Sequence, residues 1–121
     1  MSCIGTDIIE IARIEKAVNR WGERFLCRVF TDAELGLYRQ KPQSLAVRFA
    51  GKEAVMKALG TGNSGIGWRE IEILPDPGGQ PSVHLHGKAQ NQATHLGLNR
   101  LAISLSHSRE YAIAVVTGDT R

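Results

Sequence analysis

The sequence predicts an α+β fold, a largely antiparallel sheet packed with helices, in the order β-α-α-α-β-β-α-β-β. Two observations carry this expectation. Apolar residues recur with helical period through most of the first half, and short alternating segments bounded by turn residues dominate the second. The chain has 121 residues, enough for a core without disulfides or a structural metal, and it predicts one domain spanning 1–121. No internal repeat, low-complexity segment or interdomain linker is visible.

The first element, Cys3 to Ile11, is rich in isoleucine and reads as a strand with Gly5 and Asp7 on one face. From Ile11 to Val29 the period is helical. Ile11, Ile14, Val18, Trp21 and Phe25 form an apolar sector, and Arg13, Lys16, Arg20, Arg24 and Arg28 lie roughly opposite. Gly22 costs about 1 kcal/mol relative to alanine inside a helix, so a kink or break is expected there. Thr31-Asp32-Ala33-Glu34 is a capping-box pattern that opens a short helix, ended by Pro42. Ser44 is the expected N-cap of a longer helix that closes at Gly60. Gly60, Gly62, Gly65 and Gly67 then make a loop. Ile71–Leu74 and Ser82–His86 read as strands around the turn Pro75-Asp76-Pro77-Gly78-Gly79. Lys88 to Leu96 reads as a helix ended by Gly97, and Leu101–Ser106 and Tyr111–Val116 as a closing hairpin.

Composition narrows the functional classes. Hydrophobic residues at 42% and charged residues at 22% suit a globular protein. No apolar run approaches about 18 residues, so no membrane helix or membrane partner is expected. Asp7, Glu10 and Arg13 interrupt the N-terminal apolar stretch, which predicts no secretion signal. Cys3 and Cys27 lie far apart without metal-ligand spacing and read as reduced thiols of a cytoplasmic protein. The net charge of +3 permits an acidic protein, a nucleic acid or a phosphorylated small molecule without choosing among them. No helix-turn-helix, zinc-finger or RNA-binding pattern is present, and the basic strip has little aromatic interleaving, so nucleic acid is not expected.

Candidate chemistry is concentrated in Arg48 to Gly60. At about 100° per residue, Glu53 and Lys57 fall roughly 40° apart on the helix, in one sector with Ala46 and Ala50. They read either as an i,i+4 pair that supports the helix or as a carboxylate and an ammonium among small residues, open to a metal and a phosphate. Asp7 reads as a strand-end acid facing water or, with Glu53, as half of a hard-oxygen site that suits Mg²⁺ better than Zn²⁺. His107 reads as a turn residue, a phosphate contact or a proton relay. His84 and His86 share a strand face without a visible third ligand, and His95 has no assigned role. The glycine loop lacks the P-loop pattern and follows a helix where a P-loop precedes one. The arginine strip reads as a solvated helix face or as a surface that steers an acidic partner.

Three motifs occur in one order: Gly5-Thr6-Asp7, then Arg48-Phe49-Ala50-Gly51-Lys52-Glu53-Ala54-Val55-Met56-Lys57-Ala58-Leu59-Gly60-Thr61-Gly62, then Ser104-Leu105-Ser106-His107 followed by Tyr111-Ala112-Ile113-Ala114. In these the chain resembles the holo-acyl-carrier-protein synthases, the small class of 4′-phosphopantetheinyl transferases, over nearly its whole length. Asp7 is followed by Ile8 and Ile9, so the second acid of the larger transferases is absent. Gly51 stands where the family suggests alanine. The resemblance implies the 4′-phosphopantetheinyl transferase fold and transfer of phosphopantetheine from coenzyme A to a serine of an acidic acyl carrier protein. It also implies a role in fatty-acid or polyketide biosynthesis and a homotrimer with active sites between subunits. It implies Mg²⁺ held by Asp7 and Glu53, and Lys57 on the coenzyme A pyrophosphate, these three forming the catalytic set. Arg48, Gly62 and His107 would be further coenzyme A contacts. Arg13, Arg20 and Arg24 would dock the carrier.

Overall fold

A computed structural model describes residues 2–60 and 65–120. The elements are β1 (Ser2–Glu10), α1 (Ile11–Trp21), α2 (Glu23–Val29), α3 (Asp32–Tyr38), α4 (Pro42–Leu59), a single 3-10 turn (Trp68–Glu70), β2 (Ile71–Pro75), β3 (Pro81–Leu85), α5 (Gly87–His95), β4 (Leu98–His107) and β5 (Tyr111–Thr120). The α+β class holds. Its strands form two antiparallel sheets, β1-β5-β4 and β2-β3.

Helix α4 is the centre of the molecule. Its buried residues, among them Leu45, Ala46, Val47, Ala50, Ala54, Val55 and Ala58, fall in every sector, because protein covers it on nearly all sides. Toward the three-stranded sheet the contact is small against small. Ala54 and Ala58 meet the strand pair whose register places Gly5 opposite Val116 and Asp7 opposite Ala114. A Cβ at Gly5 would stand 2.0 Å from the Ala54 carbonyl oxygen and 2.8 Å from the Ala58 nitrogen. Gly5 therefore admits the helix backbone itself; it does not open space for a ligand beside Asp7. Ala46 and Ala50 are likewise fully buried and leave no room for a ligand. On another side, a Cβ at Gly51 would stand 2.5 Å from Ile73 Cδ1 and 3.2 Å from Ile103 Cδ1. Glycine there makes room for the isoleucines of β2 and β4.

The break expected at Gly22 forms there, at φ 55°, and separates α1 from α2. Other features differ from expectation. Trp21, the last residue of α1, shares the helical sector of Ile14 and Val18 yet stands 48% exposed where α1 ends. Pro42 does not end α3, which closes at Tyr38; it opens α4 at its first turn, where a missing N–H costs nothing. Ser44 consequently lies inside α4, and Lys41 occupies the N-cap. The Thr31 capping box forms as expected, with Glu34 N donating to Thr31 Oγ1 (3.2 Å) and Thr31 N to Glu34 Oε1 (2.9 Å). The final hairpin is longer than predicted, because polar Asn99 and Arg100 continue β4 through a register shift.

Candidate active site

The close docking of α4 on β1 brings two distant motifs together. Lys57 Nζ donates to Asp7 Oδ1 at 3.1 Å and to the Thr6 carbonyl at 2.9 Å. Glu53 sits one turn earlier on α4. Burial pushes its carboxyl above the ordinary value, the Asp7 charge adds to that, and Lys57 opposes both. Two carboxylates and one ammonium thus share a small region. The Lys57 side chain remains 55% exposed and that of Asp7 18%, so the pair is worth at most about 1 kcal/mol and is free to re-pair.

Glu53 and Lys57 open into a cleft of about 690 Å³. Gly60 and Gly65 bring backbone to its edge, and Met56, Ile66 and Trp68 give it an apolar wall. Gly62 lies outside the described residues. Among the described residues no cluster of three or more His, Cys, Asp or Glu could hold a metal. The donor set of two carboxylates without His or Cys still fits Mg²⁺, which keeps waters and takes substrate phosphate oxygens for its remaining positions. It does not fit a closed structural zinc site.

Arg48 and His107 are not in this cleft. They line a second one of about 340 Å³, with Tyr38, Ser44, Gln80 and Ser104. Arg48 is 8% exposed and largely engaged by the protein. Its Nη2 donates to Tyr38 Oη at 2.8 Å, Nε to the Ile73 carbonyl at 3.3 Å, and the guanidinium lies 3.7 Å from the Tyr38 ring centre. Burial lowers its pKa from the ordinary arginine value. His107 is exposed at the end of β4, its Nδ1 3.4 Å from the Ser108 carbonyl. One copy of the chain therefore does not unite the expected coenzyme A contacts.

Arg13, Arg20 and Arg24 are all exposed, now divided between α1 and α2. Arg20 and Arg24 bracket the Trp21 ring, at 4.9 and 5.8 Å from its centre. The strip is thus basic with an aromatic set into it, which the single-helix reading missed. His84 and His86 take local partners: His84 bonds Ser82 Oγ (3.0 Å) and His86 bonds Glu72 (3.1 Å). Sequence reasoning also missed Met56, Ile66 and Trp68 as cleft wall. No spacing rule could find them, because the wall forms from the two ends of the glycine-rich connection.

Residues 3–116 match the model of the 4′-phosphopantetheinyl transferase superfamily. The chain belongs to that superfamily. The holo-[acyl-carrier-protein] synthase of Herpetosiphon aurantiacus is 51% identical over 98% of both chains, and that of Dehalococcoides mccartyi strain CBDB1 is 57% identical over 93% of both. Among solved structures, Helicobacter pylori holo-[acyl-carrier-protein] synthase in complex with coenzyme A superposes with a TM-score of 0.86 at 37% identity, covering 96% of this chain and 99% of that one. Within the superfamily, this enzyme falls with the holo-acyl-carrier-protein synthases.

Proposed function

We propose that this enzyme moves the 4′-phosphopantetheine group of coenzyme A onto a serine hydroxyl of an apo acyl carrier protein. The observation that carries the reading is the Lys57–Asp7 contact between α4 and β1, with Glu53 one turn away at the mouth of the cleft. The serine oxygen forms a bond to the β-phosphorus of coenzyme A, the bond to 3′,5′-ADP breaks, and the serine proton leaves. Catalysis of this kind rests on positioning and charge neutralisation. Asp7 and Glu53 would hold Mg²⁺, which when bound neutralises the pyrophosphate and polarises the phosphorus under attack. Lys57 would exchange Asp7 for the pyrophosphate and stabilise charge on the departing phosphate. Asp7 or Glu53 would assist removal of the serine proton. Gly62, Arg48 and His107 would hold other parts of coenzyme A.

Arg48 and His107 reach the donor if one copy's second cleft faces the next copy's first, so a homotrimer with intersubunit sites belongs to the proposal. The outer face of β1 and β5 supports it: Ile4, Ile8, Tyr111, Ile113 and Val115 are 69%, 58%, 44%, 40% and 37% exposed. Apolar surface of this kind marks an interface. Arg13, Arg20 and Arg24 would dock the acidic carrier. The setting is cytoplasmic fatty-acid or polyketide synthesis, within a single domain.

The test is incubation with coenzyme A, Mg²⁺ and apo carrier protein, read as a phosphopantetheine mass increase on the carrier. Transfer that stops without Mg²⁺ is expected. Absence of transfer to any carrier, alongside salt-sensitive binding of DNA or RNA, would overturn the reading. Light scattering should return three times the chain mass; a monomer would remove the intersubunit sites.

A further inference from the structure

Lys52 precedes Glu53 on α4, and its side chain points the other way. It is fully buried, and so is its partner Glu34. Every proton of its ammonium is used. Nζ donates to Glu34 Oε1 at 2.7 Å, to the Trp68 carbonyl at 3.1 Å and to the Ile71 carbonyl at 2.5 Å. Those carbonyls belong to the first residue of the 3-10 turn Trp68–Glu70 and to the residue after it, and the Trp68 side chain forms part of the apolar wall of the donor cleft. Glu34 continues the clamp: its Oε2 accepts from Ile73 N at 2.8 Å, and its Oε1 from Thr31 N at 2.9 Å. One ion pair therefore ties α3, α4, the turn and the start of β2 together.

The turn is held laterally as well. The Trp68 ring stacks on Phe49 of α4, centres 4.7 Å apart and planes 25° apart. Arg69 donates to the Cys27 carbonyl and to Asp32. These contacts fix which way Trp68 faces, whereas Lys52 fixes how far its backbone stands from α4. Trp68 lines the cleft together with Glu53 and Lys57, so this spacing bears on the cleft's width.

We propose that Lys52, through Glu34 and the Trp68 turn, is a positioning residue that sets the width of the donor cleft and hence the affinity for coenzyme A. A buried ion pair that only held the fold together would have no reason to act on one substrate. The inference rests on the donor-cleft reading above, so its test includes Lys57→Ala as a control on that reading.

Coenzyme A affinity is measured by calorimetry, and turnover at saturating coenzyme A, for Lys52→Gln, Trp68→Leu and the double variant, with folding checked by circular dichroism. Lys52→Gln is expected to weaken coenzyme A binding about tenfold and to change kcat less than threefold. Trp68→Leu should weaken binding similarly. The double variant should weaken it no further than the larger single effect, since both act on one wall. If Lys52→Gln does not fold, Glu34→Gln, which keeps an oxygen for the ammonium, carries the same cycle. Unchanged affinity in the folded clamp variant, or effects that multiply in the double variant, would overturn the proposal. If Lys57→Ala loses affinity while the clamp variant does not, the donor cleft stands and only the positioning role falls. If Lys57→Ala keeps full affinity, the donor-cleft reading falls and this inference with it.

Discussion

Helix α4 carries two lysine–carboxylate pairs five residues apart, and they differ in almost every physical respect. Lys52 and Glu34 have no exposed surface, and every buried side-chain polar atom among the described residues has a partner. Lys57 and Asp7 meet at a longer 3.1 Å, with the lysine more than half exposed. The buried pair has no donor or acceptor left for a substrate. The exposed pair holds its place weakly, so a pyrophosphate can compete for the lysine and a metal for the acids. The same two functional groups thus make a clamp where water is excluded and, in the proposed function, a binding site where it is not. Neighbouring positions on one helix separate into structure and chemistry by roughly a 100° turn per residue.

Breaking the clamp should produce the largest effect on the molecule. Lys52→Met leaves Glu34 buried without its counter-charge and should cost about 3–5 kcal/mol of stability in denaturant unfolding. A loss below about 1 kcal/mol would mean that the two pairs are not energetically distinct. On the exposed side, Glu53→Gln or Asp7→Asn should lower kcat about 10³-fold. At neutral pH without ligand, Glu53→Gln should leave Tm unchanged or raised, since burial disfavours its charged form. Near-normal turnover in Mg²⁺ would remove the metal assignment. Lys57→Ala should cost about 10²-fold in kcat/KM for coenzyme A and less than about 1 kcal/mol in stability, the reverse of the Lys52 pattern. Arg24→Glu should raise the carrier KM roughly tenfold, about 1.4 kcal/mol, without moving that of coenzyme A. Equal effects on both substrates would argue against a docking strip.

The smallest expected effect lies where the clamp reaches the surface. Burial raises the Glu72 carboxyl, but hydrogen bonds from Thr31 Oγ1 (2.6 Å) and His86 outweigh it and leave the group below the ordinary value. A carboxyl lowered in the folded state stabilises the protein above its unfolded value and loses that contribution as pH falls through the folded one. Glu72→Gln should therefore lower Tm at pH 7 by the equivalent of about 1 kcal/mol or less. The difference should close in acid. A difference constant from pH 7 to pH 3 would show that the charge is not responsible.

Much of this was legible in the residues and their spacing. Ile71–Leu74 and the Thr31 capping box follow from local rules that depend on close neighbours in the chain. The i,i+4 spacing puts Glu53 and Lys57 on one cleft, but the ion pair of Lys57 is with Asp7. Ser44 and Pro42 were misread because one proline can end a helix or open one, and only the path of the chain between Tyr38 and Leu45 decides which. Trp21 shares the apolar sector of α1 but lies at its last position, where the core no longer covers it, and a helical wheel carries no information on where cover ends. Lys52 was left without a role since burial of a charge has no local signature.

The sequence by itself determined the α+β class, the succession of elements with its break at Gly22, and the chemical inventory of Asp7, Glu53, Lys57 and the arginines. Those depend on backbone preference and on the period of apolar residues, which neighbouring side chains carry. Only the tertiary structure decided which charges meet. Asp7 and Lys57 are fifty positions apart in the chain and bond because Gly5 lets α4 lie against β1. Lys52 meets Glu34 eighteen positions away because α3 and β2 close over the opposite side of the same helix. Arg48 and His107 end in a different cleft for the same reason. Long-range packing divides the charges of one helix between the interior and the water, and that division distinguishes a clamp from a site.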